Sequence, residues 1–241
     1  MPNPYFHFKA FTIYQDACAM KVCTDSCLFG AWVAEYLQQQ QPNVKNILDI
    51  GTGTGLLALM LAQQLPALVG AVEIDEAAAV QAAGNFSASP WSARLQVSHC
   101  SIQDFAAASP TRYDFIISNP PFFENDLQSG QENRNLALHS KALRLNELIG
   151  GIEQLLHPGG HFAVLIPFSR SAYFKAEAEK SGFYPFGEVR VRQTTGHGFF
   201  RSMLIFGKES AECITEDLAI KEGPGYTNGF RKLLTPYYLP F

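Results

Sequence analysis

The chain has 241 residues, 47% of them hydrophobic, a formal net charge of −4 and a pI near 5.9. That is enough apolar material for one sizeable core, and the acidic balance excludes a surface built as a whole to hold nucleic acid. No run approaches the ~18 apolar residues of a membrane span and the opening MPNPYFHFKAF lacks the regions of a secretory leader, so one cytoplasmic domain is expected over residues 1–241.

In chain order, strand-like and helix-like segments alternate. VKNILDI (44–50) is a short apolar run ending in glycines and reads as a buried strand. LLALMLAQQL (56–65) is rich in strong helix formers. LVGAVEI (68–74) is a second strand, and DEAAAVQAAGNF (75–86) is a helix with Asp75 as its N-cap. RLQVSH (94–99) and DFIIS (114–118) follow as strands. A helix over 141–156 is closed by Pro158-Gly159-Gly160, HFAVLIP (161–167) is a fifth strand, and 170–180 is a further helix. EVRVRQT (188–194) and FFRSMLIFGK (199–208) are separated only by TGHG. So short a connection holds no crossover helix, so the two form a hairpin and the last strand runs antiparallel. The pattern predicts an α/β fold with a doubly wound, mixed seven-stranded sheet.

Five cysteines, Cys18, Cys23, Cys27, Cys100 and Cys213, contain no Cys-x-x-Cys pair. They read as small core hydrophobes in a reducing compartment, and no metal is expected.

Gly51, Gly53 and Gly55 fall between the first strand and the first helix, where glycine permits a tight turn and close approach of a ligand to the backbone. Glu73 stands 18 residues after Gly55, at the end of the second strand, where a carboxylate can accept from both hydroxyls of a ribose. A nucleoside-containing cofactor is therefore expected at the C-terminal edge of the sheet. The dinucleotide fingerprint is G-x-G-x-x-G. Here the spacing is G-x-G-x-G with Asp49 two residues ahead, which resembles motif I of the class I S-adenosylmethionine methyltransferases. The resemblance implies S-adenosylmethionine as cofactor and gives Asp104 a contact with the adenine amine; a plain helix N-cap is the other reading of Asp104.

Asn119-Pro120-Pro121-Phe122 ends the fourth strand, at the switch point beside that cofactor. Proline cannot continue the ladder. The sequence suits methylation of an amide-like or exocyclic nitrogen, whose lone pair is conjugated and attacks poorly. The Asn119 side-chain oxygen and the Pro120 carbonyl can accept its two N–H bonds, aim the lone pair and stabilise the developing positive charge. The prolines hold these acceptors in place, and Phe122 offers a plane for stacking. The motif resembles motif IV of the amino-methyltransferases, which also implies cofactor contact for Asn119 and substrate contact for Pro121 and Phe123.

Three acceptors compete: a release-factor glutamine, a DNA adenine and an RNA adenine. Fewer than fifty residues precede Asp49, too few for the helical domain of the glutamine enzymes, and there is no room for a DNA target-recognition domain. The stretch 6–33, the run SNPPFFEN and the later RNLALHSKALRLNELI resemble the bacterial tRNA(Val) adenine-N6-methyltransferases. That family modifies the adenosine immediately 3′ of the anticodon. The resemblance implies that residues 1–43 close over the cofactor, with Thr24 and Asp25 in its pocket. It implies RNA-facing roles for Arg134 and His139, although Leu138 stands where the family has arginine, and places the loop 124–135 near the target base. Between Arg170 and Lys208 seven Lys or Arg face three Glu. Arg190 and Arg192, alternating on one strand face, lead the expected phosphate contacts, with Arg170, Lys175, Lys180 and Arg201 behind them. Other readings are adenine in another RNA such as rRNA, an inactive S-adenosylmethionine-binding module, or a NAD-binding protein. The partner expected is tRNA through its anticodon loop, with no membrane and no obligate protein partner.

Overall fold

The computed structural model describes residues 3–18, 20–120 and 145–239. In chain order these form β1 (Tyr5–His7), β2 (Thr12–Tyr14), α1 (Thr24–Gln40), β3 (Asn46–Ile50), α2 (Leu56–Gln64), β4 (Leu68–Glu73), α3 (Glu76–Ser87), β5 (Leu95–His99), α4 (Ile102–Ala108), β6 (Tyr113–Ser118), α5 (Leu145–Leu155), β7 (Leu156–Pro167), α6 (Ser171–Lys180), β8 (Tyr184–Thr194), β9 (Phe199–Gly207), β10 (Ile214–Glu222), β11 (Gly225–Tyr226) and α7 (Asn228–Leu234). β1 and β2 make a small hairpin. The remaining strands form one mixed sheet in the order β11-β10-β8-β9-β7-β6-β3-β4-β5.

The apolar runs that read as strands are the buried centre of this sheet. β3 lies parallel between β4 and β6, with Ile50 opposite both Val72 and Ser118. Helices cover both faces. One face carries a core of Phe29, Leu59, Phe115, Phe230 and Leu234, with residues from α1, α2, α3 and α7. The other carries Ile116, Ile152, Phe162 and Phe174, with α4, α5 and α6. Gly30 lets α1 press onto α2, because a Cβ there would stand 2.9 Å from Met60 Sδ.

The sheet has nine strands where seven were expected. β10 was missed because ITEDLAIKE is acidic and largely exposed, lying outside β8 with only two-residue β11 beyond it, and a flanking strand needs no continuous apolar pattern. The hairpin of β8 and β9 is present, but antiparallel β9 is inserted between β7 and β8 and is not an edge. Pro158-Gly159-Gly160 does not end a helix in a loop. It belongs to β7, where the register jumps from Tyr113↔Leu156 to Phe115↔His161, so the extra residues form a bulge.

The two ends of the described chain meet. The Lys9 N–H donates to the Tyr237 carbonyl at 2.8 Å. The Tyr237 hydroxyl donates to the Met60 carbonyl at 3.2 Å, and Lys232 pairs with Glu35 at 2.7 Å. The aromatic tail is therefore packed, with Phe230 and Tyr237 buried.

Candidate active site

The loop after β3 owes its shape to Gly51, Gly53 and Gly55, with φ of +72°, +56° and +83°, a region that L side chains avoid. The Gly51 N–H donates to the Val72 carbonyl at 2.8 Å, which pins the loop to β4. A Cβ at Gly51 or Gly53 would meet nothing within 4 Å, so this backbone borders open space. Gly55 differs: a Cβ there would stand 2.5 Å from Phe86, so packing against α3 already requires glycine at that position.

Glu73 closes the cradle. Its Oε2 accepts from the Gly53 N–H and its Oε1 from the Asp75 N–H, each at 2.9 Å. Beneath the loop, Asp49 is fully buried and its Oδ2 accepts from the Thr52 hydroxyl at 2.6 Å. Its Oδ1 has no hydrogen bond of ordinary geometry among the described residues. Burial pushes Asp49 up to about 7; the Thr52 hydroxyl and the Ala58 N–H oppose the shift, and the Glu73 charge adds to it.

Asp104 stands at the same sheet edge, exposed, in the first turn of α4. It is not the N-cap. Ser101 caps the helix and accepts from the Asp104 N–H at 3.0 Å, while its hydroxyl donates to Asp104 Oδ2 at 2.7 Å. Ile74, between Glu73 and Asp75, is 55% exposed, an apolar surface beside the acid. Sequence reasoning passed over it, although an isoleucine stranded between two acids at a strand end was the visible signal.

β6 delivers Asn119 to this edge. The buried Ser118 hydroxyl donates to the Ile50 carbonyl at 2.9 Å and locks the end of β6 against β3. The Asn119 Nδ2 donates to Ser26 Oγ of α1 at 2.9 Å, with Met20 Sδ 3.9 Å away. Pro120 is buried. Pro121, Phe122, Phe123, Arg134, His139 and the loop 124–135 lie outside the described residues.

The N-terminal segment is tied to the glycine loop. Asn85 of α3 holds both backbone groups of Tyr14 at 2.9 Å and also donates to the Thr54 carbonyl at 2.8 Å, tying β2 to the glycine loop. Gln15 then accepts from the Val22 N–H at 2.8 Å. Between them, the Cys18 thiol is pushed up to about 11 by burial and then by the charges of Glu73, Asp75 and Asp16. Thr24 is exposed at the start of α1. Asp25 is turned toward β9, where its Oδ2 accepts from Arg201 Nε at 2.8 Å.

The basic residues are less available than their number suggests. Lys175 pairs with Glu188 at 2.8 Å, Lys180 with Glu177 at 2.6 Å, Arg190 with Asp217 at 2.7 Å, and Arg201 with Asp25. The guanidinium groups of Arg190 and Arg192 share a face, as alternation implied, and lie 4.9 and 5.5 Å from the Phe199 ring centre. Among the described residues all five cysteines are free thiols, and no three His, Cys, Asp or Glu side chains converge as metal ligands would.

Residues 30–166 match the Methyltransferase small domain family. A tRNA1(Val) (adenine(37)-N6)-methyltransferase from Phocaeicola vulgatus is 40% identical over 240 residues, 99% of each chain. The chain belongs to this methyltransferase family. A relative of the same name from Serratia proteamaculans is 41% identical to this methyltransferase over 97% of its length and 89% of the relative's. Among solved structures, a predicted O-methyltransferase from Agrobacterium tumefaciens superposes with a TM-score of 0.69 at 17% identity, covering 88% of this chain and 96% of that one. The Thermus thermophilus 16S rRNA N2 G1207 methyltransferase, solved with S-adenosylmethionine and guanosine, gives a TM-score of 0.58 at 20% identity over 86% of this chain and 52% of that one. These two likenesses concern the fold. S-adenosylmethionine is the cofactor of this methyltransferase, and the residues present suit it: open space over Gly51 and Gly53, a carboxylate at Glu73 and the apolar Ile74 share one edge.

Proposed function

We propose that this methyltransferase transfers a methyl group to the exocyclic N6 of adenosine 37 in tRNA1(Val), the nucleotide 3′ of the anticodon. The observation that carries the reading is identity of about 40% over nearly the whole chain with relatives of that name. The placement of Asn119 supports it chemically: it ends β6, adjacent to the strand bearing the glycine loop, with its amide nitrogen engaged by Ser26.

S-adenosylmethionine supplies an electrophilic methyl group when bound. Gly51 and Gly53 would leave room for it, Glu73 would accept from the ribose hydroxyls, and Ile74 and Asp104 would hold the adenine between an apolar surface and an acceptor. Thr24 and Asp25 complete the pocket, with residues 1–43 as the covering segment. At the other side of the reacting centre, the Asn119 Oδ1 and the Pro120 carbonyl accept the two N–H bonds of N6. This draws the lone pair out of conjugation and stabilises the positive charge on nitrogen as the N–C bond forms. The methylated nitrogen is then acidic enough to lose its proton to water, so no strong base is needed. Phe122 is assigned the stacking plane from the sequence. The target base lies in a single-stranded loop, so little pairing is lost when it is splayed out. Arg192, over Phe199, is the foremost candidate for a phosphate contact, because Arg190 already serves Asp217. Such an enzyme works in the cytoplasm.

The test is to incubate the purified chain with labelled S-adenosylmethionine and unmodified total tRNA, digest, and identify the labelled nucleoside. N6-methyladenosine from tRNA1(Val) is the expected product. Label only in ribosomal RNA, or only on a release-factor glutamine, replaces the substrate and leaves the amino-methyltransferase chemistry standing.

A further inference from the structure

The side chain of Asn119 has an accepting end and a donating end, and only the accepting end can hold the N–H of an exocyclic amine. A run of polar side chains decides which end faces the reaction. The Asn119 amide meets Ser26 Oγ at 2.9 Å, and Ser26 is only 5% exposed, so bulk water does not compete. Ser26 Oγ lies 2.9 Å from Cys23 Sγ. Asp25 Oδ1 accepts from the Ser26 N–H at 3.2 Å, and Asp25 Oδ2 accepts from Arg201 Nε at 2.8 Å.

The neighbours of the amide set its direction. A thioether only accepts, and Met20 Sδ lies 3.9 Å from Asn119 Nδ2, on the side of Ser26. The NH2 therefore faces this side, and the Ser26 hydroxyl proton turns to Cys23 Sγ. With that proton committed, the Ser26 oxygen is an acceptor toward Asn119, and the group facing it is the NH2 rather than the carbonyl. Oδ1 is thereby directed away from α1.

We infer that Ser26, held through its hydroxyl by Cys23 and through its N–H by the Asp25–Arg201 pair, is the positioning residue that fixes the orientation of the Asn119 amide. The inference rests on the proposed role of Asn119 as acceptor. It also gives Asp25 a task besides lining the cofactor pocket, and explains why α1 is tethered to β9. An amide free to flip would present two N–H donors to an amine that needs an acceptor.

The test compares Ser26→Ala, Ser26→Thr, Asn119→Ala and the Ser26→Ala/Asn119→Ala double variant. Ser26→Ala should lower kcat about tenfold, on the scale of one neutral hydrogen bond, with KM for tRNA and S-adenosylmethionine affinity essentially unchanged. Ser26→Thr should restore most of the rate, and Ser26→Ala should cost nothing further when Asn119 is already alanine. A second readout needs no activity: in the 15N spectrum of the cofactor-free protein, the Asn119 side-chain NH2 signals, assigned by their loss in Asn119→Ala, should move on Ser26→Ala. Unmoved signals, or full additivity of the two substitutions, would overturn the inference. If the signals move but wild-type enzyme methylates no tRNA, the orientation stands and the proposed reaction falls.

Discussion

Glu73 grips the N–H of Gly53 with one carboxylate oxygen and the N–H of Asp75 with the other. The acid proposed to meet the ribose is thus also the bracket that holds the glycine loop against the start of α3. Glu73→Gln has one oxygen for two N–H groups and loses the charge besides. Cofactor affinity should fall by about 10- to 100-fold, the range for a hydrogen bond to a charged group, and titration calorimetry checks it. Unchanged affinity in a folded variant would remove Glu73 from the cofactor site.

The glycines should separate into two kinds. Gly53→Val puts a branched side chain at φ +56° into the open space proposed for the cofactor, and should abolish binding. Gly55→Ala meets Phe86 at 2.5 Å and should lose stability instead, by about 1–3 kcal/mol as in other overpacked cores. Thermal melts alongside calorimetry distinguish the two, and equal melting temperatures for Gly55→Ala and wild type would refute the packing role.

Asn119→Ala removes an acceptor that matters most in the transition state. Its kcat should drop by roughly 10²- to 10³-fold, the scale of one preorganised polar contact, while the cofactor still binds. Single-turnover rates check this free of product release. A variant retaining half the rate excludes the role.

Asp49 makes the stability of the cofactor-free protein depend on pH. Its carboxyl is raised from 3.8 to about 7 on folding, chiefly by burial. A group raised in the folded state contributes its full stability below the unfolded value and loses it as pH climbs through the folded one. The melting temperature should therefore decline between about pH 4 and about pH 7, and Asp49→Asn, which cannot titrate, should flatten the decline. Parallel melting curves for the two proteins would show that Asp49 is not responsible.

Arg190 and Arg192 should behave unequally toward tRNA. Removing Arg192 should weaken binding and reduce the slope of log affinity against log salt by about one contact's worth. Arg190→Ala should change the slope less, because Asp217 already neutralises that side chain at 2.7 Å. Filter binding across a salt series measures both, and identical slopes in all three proteins would move the RNA footprint elsewhere.

The buried strands were legible because parallel strands covered on both faces must be apolar along their length, as in the runs around Ile47, Val69 and Ile116. The glycine loop was legible because its tight turn takes positive φ at Gly51, Gly53 and Gly55, and the end of β6 because proline cannot continue a ladder. β10 was not, since a flanking strand can be polar. Nor was the short hairpin of β1 and β2, whose strands span three residues each. The pairing of Arg190 was hidden for a related reason: Asp217 comes from unread β10, 27 residues away. Alternation told which face Arg190 occupies and not who waits there. Ser26 carries no pattern at all; a buried serine becomes informative only when β6 brings Asn119 against it.

The meeting of Lys9 with Tyr237 has a consequence for biosynthesis. The residues that cover α1 and the N-terminal hairpin, from Phe230 to Tyr238, leave the ribosome after everything they shelter. Until then the outer side of α1, including Cys27, lacks its cover, and domains fold as units only once such contacts exist. Before that cover docks, α1 presents an apolar, thiol-bearing side. Docking of α7 and the residues up to Tyr238, rather than formation of the glycine loop, closes the core on that side.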